Sequence, residues 1–294
     1  MMFGGIEAGG TKFVCAVGDE KGNIAERIQI PTTVPEETIG KVIAFFKKYQ
    51  LDAIGIGSFG PIDVNRESPT YGYIKSTPKV AWRDFPFVEA MKEAFSLPIG
   101  FNTDVNAAAL GEVTRGAAKG LDSCLYITVG TGIGAGAVVQ GKLLQGLTHP
   151  EMGHILVRRH PNDTYQGKCP YHRDCLEGLA SGPAIEERWG DKGIHLADRV
   201  EVWEMEGFYL AQALMQYIII LSPKKIILGG GVMNQKTVFS SIFKYLPELV
   251  NQYVVLPDLS DYIVSPGLRN DAGITGALLL AQQALQEEKK VRLG

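Results

Sequence analysis

One succession of elements can be read twice along this chain, and that repetition restricts the fold more than any other feature. The first copy opens with the apolar runs Phe3–Glu7 and Phe13–Val17, joined by Ala8-Gly9-Gly10-Thr11. Glycines at the turn, with β-branched and aromatic residues beside it, predict a hairpin. A helix over about Glu36–Tyr49 follows, with Ile39, Val42, Ile43 and Phe46 at helical spacing. Next come a strand at Ala53–Gly57, a helix over roughly Phe85–Phe95, and a strand at Leu97–Phe101 leading to a helix near Asn106. The second copy begins with the hairpin Leu125–Val129, Gly130-Thr131-Gly132, Gly134–Val139. It continues with a helix at about Glu201–Leu221, a strand at Lys225–Leu228, a helix near Lys236–Leu249, a strand at Ile263–Ser265 and a last helix from about Ala272. Identity between the halves is low, so the repeat is one of pattern. A duplicated α/β unit implies two domains around a central cleft: residues 1–113 with the C-terminal helix at about 272–294, and residues 114–271. The boundary is expected in the helix around 111–120. Residues 146–190 fit neither copy and read as an insertion.

A chain of 294 residues allows one large domain or two medium ones. Its 45% hydrophobic and 21% charged residues are those of a soluble globular protein, and a net charge of −3 gives no reason to expect nucleic acid or an anionic membrane as partner. The N-terminal MMFGGIEAGG has no basic region followed by an apolar one, so no signal peptide is expected. The most apolar stretch, Gly207–Leu221, is too short for a bilayer, which takes ~20 residues, and reads as a buried helix. Four cysteines do not make a disulfide framework in a chain of this size, and a reducing cytoplasm is the expected location.

Glycine turns let the backbone approach a phosphate and aim several N–H groups at it. Gly9-Gly10-Thr11-Lys12 and Gly130-Thr131-Gly132 have that character, and their threonine hydroxyls add donors. Each turn alone is as well explained by the needs of a hairpin. Together, at matching places in both halves, they suggest one nucleotide held between them. Two familiar motifs are excluded. Gly130-x-Gly132-x-x-Ala135 lacks the helix that a dinucleotide fingerprint requires, since Gly136-Ala-Val-Val139 continues as strand. Gly136-x-x-x-x-Gly141-Lys142 is followed by Leu143 where a P-loop needs Ser or Thr, so Gln140-Gly141-Lys142 reads as a surface turn.

The insertion holds Cys169-Pro-Tyr-His172-Arg-Asp-Cys175, three zinc-ligand residues with two-residue spacers. The best-placed fourth ligand is His154, with His149 and His160 as rivals. A full set of four would shape the loop without performing chemistry. Cys15 and Cys124 fall in strands and are expected to be buried and inert. Asp104 lies past the end of a strand, where α/β folds build their sites. It reads equally as a base accepting a hydroxyl proton or, with Asn106 as the alternative, as a helix N-cap. Asn102 could hydrogen-bond a polyol, and Glu151 and Glu177 flank the metal cluster.

These motifs in combination resemble the ROK sugar kinases: Gly9-Gly10-Thr11-Lys12, Asn102-Thr-Asp104-Val-Asn106-Ala-Ala, Gly130-Thr-Gly132-Ile-Gly134, Glu151-Met-Gly-His154, the cysteine loop and Gly229-Gly-Gly231-Val. They occur in family order from residue 4 to about 276. Cys169-Pro-Tyr-His172 through Cys175-Leu-Glu177-Gly-Leu-Ala-Ser-Gly-Pro183 resembles in particular the fructokinase branch. The commoner ROK pattern has cysteine at His172. The resemblance implies the duplicated actin–hexokinase (ribonuclease-H-like) α/β fold, closing over ATP, Mg²⁺ and sugar. It implies Asp104 as general base, and Asn102, Asp104, Glu151, His154, Glu177 and Gly60 at the sugar. His154 would also bind structural Zn²⁺ with Cys169, His172 and Cys175. Gly9, Gly10, Thr11, Lys12, Thr131 and Gly132 would hold phosphates, while Pro183 and Gly231, Val232, Met233, Asn234 and Gln235 border the adenosine. Glu7 would stand near magnesium, where most of the family has Asp. Arg173 stands where the fructokinase-like loop usually has glycine, so a different local turn is expected. A homodimer is the family expectation. The activity implied is transfer of the ATP phosphoryl group to a hexose, D-fructose to fructose 6-phosphate first, with glucose or mannose as alternatives. The family also contains sugar-sensing repressors, but these carry an N-terminal helix-turn-helix for which the chain has no room ahead of its first hairpin. A non-catalytic sugar binder is disfavoured by Asp104 and the two phosphate turns.

Overall fold

A computed structural model describes residues 1–293. The first half runs β1 (Met2–Ala8), β2 (Lys12–Asp19), β3 (Ile24–Pro31), α1 (Pro35–Phe46), β4 (Ala53–Ser58), β5 (Tyr73–Ile74), β6 (Phe85–Pro86), α2 (Phe87–Phe95), β7 (Ile99–Thr103) and α3 (Asp104–Arg115). The second runs β8 (Cys124–Val129), β9 (Ile133–Val139), β10 (Lys142–Leu143), α4 (Leu176–Ala180), α5 (Gly182–Trp189), α6 (Val200–Leu221), β11 (Ile226–Gly229), α7 (Lys236–Val250), α8 (Leu259–Tyr262), β12 (Ile263–Val264) and α9 (Ala272–Leu293).

The repeat is plain in the sheets. One has the order β3-β2-β1-β4-β7 and the other β10-β9-β8-β11-β12. In both, the first three strands pair antiparallel and the last two add in parallel. β4 is buried along its whole length, as expected of a parallel strand covered on both faces. One core gathers Ile6, Phe13, Phe46, Ile56, Trp82 and Phe87, and the other Leu125, Ile127, Trp203, Tyr209, Leu210 and Ile242.

Several elements differ from the sequence expectation for identifiable reasons. The third strands, β3 and β10, are additions: β3 is a largely exposed edge strand without a continuous apolar run. Phe85-Pro86 pairs with Tyr73–Ile74, so α2 starts at Phe87. α3 begins at Asp104 and stops at Arg115, so the passage between sheets is not helical as far as 120. The last turn of α6 is exposed at Ile219 and Ile220, so Gly207–Leu221 is not buried throughout. Among the described residues no helix is long and apolar enough to cross a membrane.

The two halves meet where α3 crosses α9. A Cβ placed on Gly276 would lie 1.6 Å from the Ala107 carbonyl oxygen, and one on Gly111 would lie 2.5 Å from that of Ala272. The helix backbones therefore touch, and only glycine fits. Glu112, fully buried, secures the end of the crossing. Its carboxylate accepts the N–H groups of Ala117 (2.6 Å), Gly267 (3.0 Å) and Leu268 (2.9 Å). Gly276→Ala should destabilise the protein by roughly 2–3 kcal/mol through forced separation of the helices. Urea unfolding measures this, and a loss below about 0.5 kcal/mol would show that the crossing relaxes freely.

Candidate active site

Each half contributes a glycine turn at the same place in its sheet. In the first, Gly9 N–H donates to the Lys12 carbonyl at 3.0 Å, and a Cβ at Gly9 would come within 2.8 Å of that oxygen. In the second, Gly130 N–H donates to the Gly132 carbonyl at 2.9 Å. Thr11, Lys12 and Thr131 are exposed at these turns, leaving hydroxyl and ammonium groups available to a ligand. Lys79 lies beside Gly10, its Cε 3.4 Å from where a Cβ would stand. No spacing rule singled that cation out.

Asp104 opens α3 at the end of β7, and the helix cap is neither Asp104 nor Asn106. Thr103 takes that role, its hydroxyl accepting the Asn106 N–H at 3.1 Å. The Asp104 carboxylate accepts only the adjacent Val105 N–H, at 2.8 Å. Asn106 is instead a strut between the halves: its amide donates to Asn102 Oδ1 (2.8 Å) and its carbonyl accepts the Ala137 N–H (3.2 Å). Asn102 thus spends its oxygen within the protein, which also accepts Thr103 N–H at 2.9 Å, while its amide hydrogens are uncommitted.

A cleft of about 670 Å³ separates the halves, lined by Glu7, Lys12 and Asp104 on one side and by Thr128, Gly231 and Asn234 on the other. A second cavity of about 530 Å³ adjoins it, lined by Thr131, Pro183, Val232 and Gln235, with Gly231 and Asn234 common to both. Met233 lines the first. Asn102, Gly60, Glu151, His154 and Glu177 line neither. Gly60 abuts Glu151, whose Oε1 lies 3.4 Å from the position of a Cβ on that glycine. Glu177 accepts the Ile133 N–H at 2.9 Å and sits so close to Gly132 that a Cβ there would be 2.6 Å from its oxygen.

Electrostatically the site is a row of carboxylates held close together. Burial pushes Glu7 up to about 7 despite the nearby Lys12 and Arg27. Burial and the charge of Glu7 push Asp104 up to about 7. Glu151 is raised to about 7 by burial, then by Glu177 and Asp104. Such a row attracts groups that neutralise it: metal ions, or hydroxyl groups that donate.

In the insertion, the donor atoms of His154, Cys169, His172 and Cys175 all lie within 4.8 Å of one another. His154 Nδ1 is 3.6 Å from Cys169 Sγ and 3.5 Å from Cys175 Sγ, and His172 Nδ1 is 3.7 Å from Cys169 Sγ. A tetrahedral ion at ~2.3 Å from sulfur and ~2.0 Å from nitrogen spaces its ligands by about 3.5 Å, so this donor set fits zinc. The rivals are occupied elsewhere. His149 Nε2 accepts the Ile62 N–H at 3.0 Å, and His160 Nδ1 accepts that of Asn162 at 3.2 Å. Arg173 adopts φ +57°, so the turn that suits glycine is kept and arginine bears its strain. Cys15 and Cys124 are buried free thiols whose pKa values burial raises, that of Cys124 to about 12.

A second anchor of the insertion escaped sequence reasoning. Buried Asp163 accepts Arg188 Nε at 3.2 Å and the Tyr209 hydroxyl at 2.5 Å, while Arg188 also donates to the Leu179 carbonyl at 2.7 Å. This ties the loop to α4, which carries Glu177, with no metal involved.

The ROK family model matches residues 3–284, and the chain belongs to the ROK family. A Bacillus subtilis protein is 65% identical over 98% of this chain and 97% of its own length. The fructokinase of Pediococcus pentosaceus is 49% identical over 97% of this chain and 99% of its own. Among solved structures, a ROK family glucokinase from Streptomyces griseus, in complex with glucose and AMPPNP, superposes with a TM-score of 0.76 at 25% identity, covering 96% of this chain and all of that one. The duplicated α/β architecture is thus the actin–hexokinase fold of this family.

A carboxyl with a raised folded-state pKa stabilises the native state below its ordinary value, and that contribution is lost as pH rises toward the folded value. For Asp104 the window is pH ~4 to about 7. The melting temperature of ligand-free Asp104→Asn relative to wild type should therefore climb across this window and level off above it. A difference that stays flat from pH 4 to 8 would mean that Asp104 titrates normally.

Proposed function

We propose that this chain transfers the γ-phosphoryl group of ATP to the 6-hydroxyl of D-fructose, giving fructose 6-phosphate and ADP. The observation that carries the chemistry is Asp104, which opens α3 and lines the cleft between the halves, with a carboxyl raised toward neutrality by burial. A base poised near working pH accepts the hydroxyl proton as the oxygen attacks phosphorus and the bond to the β-phosphate oxygen breaks. Fructokinases and glucokinases among its relatives support the class, and the 49% identity to a named fructokinase supports the sugar. The turns at Gly9–Lys12 and Gly130–Gly132 would cradle the phosphates. Pro183 and Gly231–Gln235 would border the adenosine, consistent with the place of Pro183, Gly231, Val232, Asn234 and Gln235 around the second cavity. Asn102, Glu151, His154 and Glu177 would read the sugar hydroxyls beside Gly60.

Two metals belong to this reading. Glu7, with its pKa raised by burial, is the residue to help hold magnesium, which supplies charge neutralisation to the triphosphate. Zinc on His154, Cys169, His172 and Cys175 would supply no chemistry beyond fixing the loop. Cys175 leads directly into α4, so the metal would set where Glu177 starts.

A panel of hexoses with MgATP tests the function: fructose should give the highest kcat/KM, with phosphate on carbon 6. A site that pairs with a hydroxyl can reject a mismatched sugar by up to ~10⁴-fold. A preference for glucose would reassign the substrate but leave the kinase standing. Asp104→Asn should lower kcat by ~10²–10⁴-fold with little change in ATP affinity, and a variant keeping more than about a tenth of wild-type kcat would move the base elsewhere.

Chelation, or Cys169→Ser, should lower stability and fructose affinity together, and elemental analysis should find one zinc per chain. A fully active enzyme without zinc would end that assignment.

A further inference from the structure

The second cavity contains a feature that the motifs do not account for. Residue Ile194, on a short 3₁₀ turn (Gly193–Leu196), is 75% exposed yet lines that cavity together with Gly231, Val232, Asn234 and Gln235. The turn is not free to drift. Gly193 lies against Trp203, so that a Cβ there would be 3.2 Å from the ring, and the indole N–H donates to the Leu196 carbonyl at 2.9 Å. Trp203 and Ile185, both buried, form the floor. At the other end, Gly182 N–H donates to the Gly130 carbonyl at 2.7 Å, which fixes the cavity to the second phosphate turn. A slot lined by Ile185, Ile194, Trp203 and Val232, with Glu186 and Lys192 beside them and the second glycine turn part of the same lining, suits a flat heteroaromatic ring attached to a polyphosphate.

We infer that Ile194 is the specificity residue for the phosphoryl donor: it covers one face of the purine base and makes a nucleoside triphosphate a better donor than a base-free polyphosphate. The inference rests on the ATP reading above and deepens it. An aliphatic side chain left in water regains its hydrophobic contribution when the base covers it, whereas the backbone donors of the turns act on the phosphates alone. Loss of Ile194 therefore weakens the hold on the base and leaves the phosphates and sugar as before.

The test is steady-state kinetics at saturating fructose with Ile194→Ala and Ile194→Leu, with inorganic tripolyphosphate as a competitive inhibitor. Ile194→Ala should raise the KM for MgATP about tenfold with kcat, fructose KM and the tripolyphosphate inhibition constant within twofold of wild type. Ile194→Leu should stay near wild type. An unchanged MgATP KM in a folded Ile194→Ala protein, an equal rise in the tripolyphosphate constant, or a leucine variant as impaired as alanine would each overturn the inference. Failure of the wild-type enzyme to turn over MgATP would instead overturn the ATP reading itself.

Discussion

Everything in this molecule is arranged about the contact between α3 and α9. Two sheets of identical plan must share one cleft, and the crossing at Gly111 and Gly276 brings the helix backbones together at the base of both. Small residues at a crossing let main chains approach and give a close, low-volume junction between the two cores. Buried Glu112 and the strut formed by Asn106 hold the same junction with hydrogen bonds in place of bulk. α3 also carries Asp104 at its first position, so the joint of the molecule and the carboxylate proposed as its base lie on one element.

The same compactness explains the electrostatics. Glu7, Asp104 and Glu151 come from three distant segments; the fold buries all three and packs them so that Glu7 raises the proton affinity of Asp104, and Asp104 that of Glu151. An isolated chain has no use for that arrangement, and it opposes stability at neutral pH. It suits a site completed by cations and by hydrogen-bond donors on a substrate.

Much of this was legible in the sequence, and the parts that were not share a cause. The glycine-turned hairpins, the strand ending before Asp104 and the ligand spacing around Cys169 are local signals, set by residues a few positions apart. The third strand β3 was missed because an exposed edge strand needs no apolar run. The role of Thr103 as cap was missed because Asp104 beside it satisfies the same rule and is needed for something else. Arg188 and Asp163 could not be paired from sequence at all. They are far apart in the chain, and charged residues in an insertion are ordinarily at the surface. Arg173 shows the limit of substitution rules: glycine's conformation persists at a position that lacks glycine, because the N–H and carbonyl of Arg173 both pair with Cys169.

The hydrogen bond from Ile133 to Glu177 has a consequence of its own. The donor belongs to the hairpin of the second glycine turn, and the acceptor to the helix that follows the cysteine loop. A side chain at position 132 would collide with the same carboxylate, so turn and helix stand this close only because that residue is glycine. The position of the Glu177 carboxylate is therefore set from two directions at once, by the cysteine loop that leads into α4 and by the strand that donates to it.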